Sequence, residues 1–262
     1  MTIFQFKKKK LTNITKNITA ELFFDEHFKE SSQRIFQSIF SICCVIIITF
    51  LNINLLIQFL QLSSVNIKFF QLSPGDYLIV TLKISLFLGL TNSTPLFLEQ
   101  LILFLFPSFS QKEFKISKYL ILSVTVLFLL GLVFAYFVLI PTALGFFINY
   151  SKDVIEPFLS FNQYVEFIGL LFFTTGLLFQ LPIVQTLLAI FGVMSPQEML
   201  KFWKWVIIIS TVVSAIVTPS ADPFTQLLLA AVLLILYFVG LIASFYVTEK
   251  STSTEENYVK SS

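Results

Sequence analysis

The sequence predicts an all-α polytopic membrane protein with six transmembrane helices, and three observations carry that prediction. Of 262 residues, 56% are hydrophobic and 12% charged, and the 33 Phe alone exceed the 17 basic and 15 acidic residues together. A soluble domain carries roughly a quarter charged residues, which excludes an ordinary cytosolic enzyme and a disordered chain alike. The apolar residues gather into runs close to the ~20 residues that a helix needs to cross a hydrocarbon core about 30 Å thick. These runs are too long for barrel strands and do not alternate with period two. The basic residues, finally, collect on one side of the resulting topology.

Residues 1–34 form an amino-terminal segment with no apolar core of the kind a signal peptide has. It is Lys-rich and has no acid before Glu21, a weak likeness to a transit peptide; a solvated basic tail near anionic headgroups is the favoured reading. The membrane domain covers 35–247. Its spans run from Ile35 to Leu60, Tyr77 to Phe106, Tyr119 to Ile140, Val165 to Phe191, Phe202 to Val217 and Phe224 to Val247. Pro95 interrupts the second span and Pro182 the fourth, and each frees a carbonyl, so kinks are expected there. The fifth span has only about 16 residues, or ~24 Å. Either it is short and thins the bilayer, or its ends are set too tightly; both readings stand. It meets the sixth span through a turn holding Pro219, Asp222 and Pro223, with Asp222 a candidate helix cap. The polar stretch 248–262 is expected to fray.

Six spans place both termini on one side. That side holds fourteen of the basic residues, and the other side and its borders hold Lys68, Lys83 and Lys152. The split predicts termini on the side of synthesis. Sixteen of the basic residues are Lys and only Arg34 is Arg, the drift expected of an AT-rich organellar genome.

Several function classes drop out. The net charge of +2 is too small to suggest nucleic-acid binding. One His and the adjacent Cys43 and Cys44 cannot build a metal or haem site, and no Gly-rich phosphate loop is present, so no cofactor is expected. Charges and amides within a membrane are functional candidates. Lys83 is read as an anchor snorkelling to the far interface, and Glu99 and Glu166 as reaching water at span ends. Gln180 lies deep, where it either satisfies the carbonyl freed by Pro182 or contacts a partner. Glu30 and Glu113 fall at the membrane surface on the side of synthesis, where spacing alone would leave them solvated.

Ordered motifs add a resemblance. The run Pro95 to Gln100, with Phe104, Pro107 and Glu113, is similar to PxxxYQxxxFxxPxLxxxE. Phe134 to Phe137 with Ile140-Pro141, Phe179 to Pro182 (FQLP), and Thr218 to Pro223 (TPSADP) follow in order. Together they resemble TatC, the multispanning subunit of the twin-arginine protein translocase, in its plastid and cyanobacterial branch. HLEELRxR reads here as HFKESSQR, keeping His27, Glu30 and Arg34, and Glu99 stands where Tyr is usual.

The resemblance implies a concave membrane domain that receives twin-Arg signal peptides through Glu30, Glu113, Arg34 and His27. It implies partnership with TatA- and TatB-type single-span subunits, at which Gln180 is a candidate contact, and self-association within the bilayer. Pro95, Pro107, Pro182, Pro219, Asp222 and Pro223 are its structural positions. No catalysis is implied. The implied location is the plastid thylakoid membrane, with the mitochondrial inner membrane as alternative. A small-molecule or ion transporter is the rival function; it calls for several mid-span charges, and Gln180 alone is expected to lie deep.

Overall fold

The computed structural model describes residues 32–62, 69–70, 73, 75–105, 113–151, 159–218 and 222–259. Among them five helical stretches are long and apolar enough to cross a membrane, and a shorter sixth, Trp203–Val217, completes the expected six. The described residues are all-α apart from one pair of two-residue strands.

The first span is α1 (Ser32–Leu51) and α2 (Ile53–Leu62), separated by Asn52, whose side-chain amide donates to the Ile48 carbonyl at 2.9 Å. After β1 (Phe69–Phe70), α3 (Asp76–Leu105) returns. A cap starts α3: Asp76 Oδ2 accepts from Ser73 N–H at 2.9 Å, and Gly75 N–H donates to Ser73 Oγ at 3.3 Å. The helix passes through Pro95 without a break, contrary to the expected interruption. Within the turn that precedes it, the Thr91 and Thr94 hydroxyls bond back to the Phe87 and Leu90 carbonyls. At Gly89, α1 comes so close that a Cβ would lie 2.4 Å from Ile46 Cγ1.

The third span is longer than its apolar run suggests. It comprises α4 (Glu113–Phe134), a π-helical turn (Ala135–Leu139) and α5 (Ile140–Ser151), continuing well past Ile140. The wide turn, in which Ile140 N–H donates to the Ala135 carbonyl, directly precedes Pro141. Proline lacks an N–H and crowds the preceding turn, and local widening lets the helix go on.

Strand β2 (Leu159–Ser160) pairs in parallel with β1, Phe69 opposite Leu159. The fourth span then breaks as expected, into α6 (Phe161–Leu178) and α7 (Leu181–Ile190), with Pro182 in the first turn of α7. The short α8 (Pro196–Lys201) has a full capping box, Ser195 N–H to Glu198 Oε2 and Glu198 N–H to Ser195 Oγ. Last come α9 (Trp203–Val217) and α10 (Pro223–Val259). The α10 backbone stays helical to Val259, so the expected fraying after 248 is not seen there.

The end of the bundle where α1 begins is here termed proximal; β1 and β2 mark the distal end. The largest core cluster joins α3, α5 and α6 around Val80, Ile84, Ile140, Tyr164 and Ile168, with Tyr164 Oη bonded to the Leu60 carbonyl at 2.7 Å. Helix α10 packs most extensively on α7. The turn into α10 is capped by Asp222, whose Oδ1 accepts from Phe224 and Thr225 N–H at 2.9 and 3.2 Å, as anticipated. Thr218 and Thr225 share a small cleft with Leu139 and Ala143, so this hairpin stops roughly two turns short of the α5 end. The fifth span is therefore short in fact; its 15 helical residues reach about 22 Å.

Candidate functional site

At the proximal end, Arg34 lies in the first turn of α1 and Gln100 near the close of α3. Arg34 Nη1 donates to Gln100 Oε1 at 3.1 Å. Around this tie is a cleft of about 230 Å³ whose lining includes Arg34, Ser38, Phe97, Gln100, Leu101 and Phe104. The α3 helix ends at Leu105 and α4 starts at Glu113, so the backbone brings Glu113 to the same end as Arg34. A carboxylate at the first residue of a helix is favoured by the partial positive charge there. His27, Glu30, Pro107 and Pro219 lie outside the described residues, as does the side chain of Glu113.

Deeper polar groups behave differently from expectation. Lys83 is not a free interfacial anchor: its Nζ donates to Asn162 Oδ1 at 2.9 Å and forms a salt bridge to Glu166 Oε2 at 3.0 Å, tying α3 to α6. Nor does Glu99 simply reach water, since Oε1 accepts from the Thr125 hydroxyl at 2.7 Å and links α3 to α4. Gln180 is 6% exposed, and its Nε2 donates to the Val124 carbonyl on α4 at 3.2 Å. It therefore bridges two helices rather than repairing the carbonyl that Pro182 frees on its own.

A second deep amide escaped the sequence reading. Gln185 is 6% exposed and neither of its side-chain polar atoms has a partner; the Gln180 Oε1 and Thr175 Oγ1 atoms share that condition. Gln185 faces Gly240 of α10, where a Cβ would stand 1.8 Å from Gln185 Oε1 and 2.7 Å from Pro182 Cα. The missing side chain is what admits the amide. Gln185 could have been noticed as a polar residue three places after Pro182 inside an apolar run. Gln100 sat in a quoted motif, but nothing in that motif says which side chain it meets.

On α8, Glu198 is held below the ordinary carboxylate range by the Ser195 backbone N–H, and secondarily by the Ser195 hydroxyl. Among the described residues no group of three His, Cys, Asp or Glu could hold a metal. The described residues thus place a charged and hydrogen-bonding pair, Arg34 and Gln100, beside a largely apolar cleft at one end of a helical bundle.

Comparisons with known proteins place this bundle in a family. The family model described as Sec-independent protein translocase protein (TatC) matches residues 26–231. A TatC-like protein, ycf43, of Trieres chinensis is 48% identical over 227 residues, covering 87% of this chain and 86% of that one. The Sec-independent protein translocase protein TatC of Synechocystis is 40% identical, covering 88% of this chain and 95% of its own length. The chloroplastic TATC of Pisum sativum is 41% identical over 82% of this chain and 62% of that protein. A crystal structure titled for the twin arginine translocase receptor TatC in DDM superposes with a TM-score of 0.72 at 31% identity. It covers 83% of this chain and 99% of the other.

Proposed function

The chain belongs to the TatC family, and we propose on that footing that it is the receptor and core subunit of a twin-arginine protein translocase. It recognises the paired arginines of a signal peptide and recruits TatA- and TatB-type single-span subunits to move folded cargo. The likeness to a chloroplastic relative, together with the apolar helices, supports a plastid multi-pass membrane protein. The thylakoid membrane, with both termini on the stromal side, is our assignment from the charge asymmetry.

The observation that carries the reading is the convergence at the proximal end. Arg34 on α1, Gln100 on α3 and the first residue of α4, Glu113, belong to one end of the bundle. A guanidinium forms two parallel charge-assisted hydrogen bonds with a carboxylate, a geometry that Lys cannot reproduce. Two arginines therefore call for two carboxylates, and Glu30 and Glu113 are the proposed pair. Arg34, tied to the Gln100 amide, and His27 are the other two positions proposed for signal-peptide binding. At the interface, reduced water strengthens such pairing relative to bulk. The cleft beside Arg34 then offers Phe97, Leu101 and Phe104 to the apolar part of the signal.

Gln180 is assigned first as a tie between α7 and α4. Its contact with a partner helix requires those two helices to part, because the amide is buried as they stand. Its unpartnered Oε1 is the atom a partner would then meet.

The test is site-specific photo-crosslinking of a twin-Arg signal peptide to membranes carrying the full chain. Glu113→Ala lowers the yield about tenfold or more, as expected for losing a charge-assisted pair of about 1.5–3 kcal/mol, while Lys112→Ala changes it less than twofold. Equal yields from the two variants would remove Glu113 from the site.

A further inference from the structure

Near the middle of α3 four polar residues stand in a row, Thr91, Asn92, Ser93 and Thr94. Three are buried and satisfied by their own helix. The Thr91 hydroxyl donates to the Phe87 carbonyl at 2.7 Å, and those of Ser93 and Thr94 donate to the Leu90 carbonyl at 3.0 and 2.8 Å. Asn92 is the exception. Its side chain is exposed and has no hydrogen-bond partner among the described residues. The span runs from Asp76 to Phe104, so Asn92 lies about 24 Å from one end and about 18 Å from the other, where lipid chains offer neither donor nor acceptor. An amide at that depth stays unsatisfied unless another membrane helix bonds to it, and such bonds draw helices together in a bilayer.

The same face of α3 carries a second open polar atom. Glu99 follows Asn92 by about two helical turns; its Oε1 accepts from Thr125, and its Oε2 has no hydrogen-bond partner among the described residues. Glu99 lies about 9 Å before the end of α3 at Leu105, where a long basic side chain can reach it. The Glu99–Thr125 bond sets the register of α3 against antiparallel α4. Leu96 on α3 and Val126, Leu129 and Val133 on α4 then share the depths from Glu99 to Asn92, and all four are exposed. The surface is apolar, with an amide at mid-span and a carboxyl two turns nearer the proximal end. Phe97 and Leu101, which line the Arg34 cleft, sit on another face of α3. We propose that the α3–α4 face docks a transmembrane helix of a different chain, one with a hydrogen-bonding side chain opposite Asn92 and a Lys or Arg opposite Glu99. Two-fold packing of a second copy through this face would set Glu99 against Glu99, which disfavours that occupant.

The experiment is photo-crosslinking in vesicles of the full chain, with a photoreactive residue in place of Leu96, to designed Leu-Ala helices of ~20 residues. One helix carries Asn at mid-span and Lys two turns nearer the proximal end; its counterpart is wholly apolar. The polar helix should crosslink about tenfold more than the apolar one, Asn92→Leu should bring that ratio below about twofold, and Asn92→Gln, which keeps the amide, should preserve it. Exchanging the Lys of the probe for Met should lower the yield about threefold with the wild-type chain and leave it unchanged with Glu99→Gln. Equal yields from the two helices would overturn the proposal. So would rapid alkylation of Asn92→Cys by a membrane-impermeant maleimide, in a chain with Cys43→Ala and Cys44→Ala, because water would then satisfy the amide. A dimer of the chain that Asn92→Leu dissolves would give the face to a second copy instead. The signal-peptide reading is independent of each of these outcomes.

Discussion

At the scale of single residues, the fold depends on places where a polar group meets a missing side chain. Gly240 admits the Gln185 amide, and Gly240→Ala would press a methyl onto Gln185 Oε1 and onto the Pro182 backbone. Overpacking of this kind costs about 1–3 kcal/mol. Thermal unfolding in detergent should show that loss, with Gln185→Ala recovering part of it and the Pro182 contact keeping the rest. A Gly240→Ala protein as stable as the parent would mean α7 and α10 are not held at that spacing. Glu198 gives a prediction with a sign. Its carboxyl is held low in the folded protein, so its cap is fully present above the ordinary carboxylate range and is lost as pH falls through the lowered value. Hydrogen-exchange protection of the Ser195 amide, which donates to the Glu198 carboxylate, should stay flat from neutral pH to that range and fall only below it.

At the scale of elements, helix pairs are tied by side chains whose partners hydropathy does not reveal. The runs that predict the spans fix how much chain lies in the membrane, but not which faces meet. Lys83 reads as an interfacial anchor because its partner Glu166 is 83 residues away, on a helix whose rotation the sequence leaves open. Gln180 was legible as deep, and its bond to Val124 was not, for the same reason. The π-helical turn before Pro141 follows from a local conflict that a span count passes over. Asp222 was legible, since a cap is read from neighbouring residues alone.

The Lys83–Glu166 tie can be tested by a double-mutant cycle. Glu166→Leu leaves a lysine without its charge partner near the bilayer and should destabilise by about 1–2 kcal/mol, below the ~2.5–3.5 kcal/mol for a charge at a helix centre. Lys83→Met with Glu166→Leu should restore most of that loss, because a well-packed apolar pair is often neutral against an ion pair. Additive effects of the two changes would show that the bridge contributes nothing.

At the scale of the whole molecule, the short α9–α10 hairpin sets one edge of the bundle against a bilayer thicker than itself. A span of about 22 Å falls short of a core of about 30 Å, and each ångström of mismatch costs a fraction of a kcal/mol. Thermal stability should be highest in bilayers of short acyl chains and fall as chains lengthen. A rise with chain length across the same series would mean that α9 gains length in lipid. The six spans and the family were legible in composition and ordered motifs. The proximal end was legible only in part, because its acids were named by motif while the Arg34–Gln100 tie that positions the cleft needed the fold.

The central claim is that two carboxylates at the proximal end hold the adjacent guanidinium groups of a signal peptide. It is tested most directly by photo-crosslinking a twin-Arg precursor and its twin-Lys counterpart to this chain in its native membrane. The account predicts strong capture of the first and at least a tenfold loss for the second, since Lys carries the charge without the paired hydrogen bonds. Equal capture of the two precursors would contradict it.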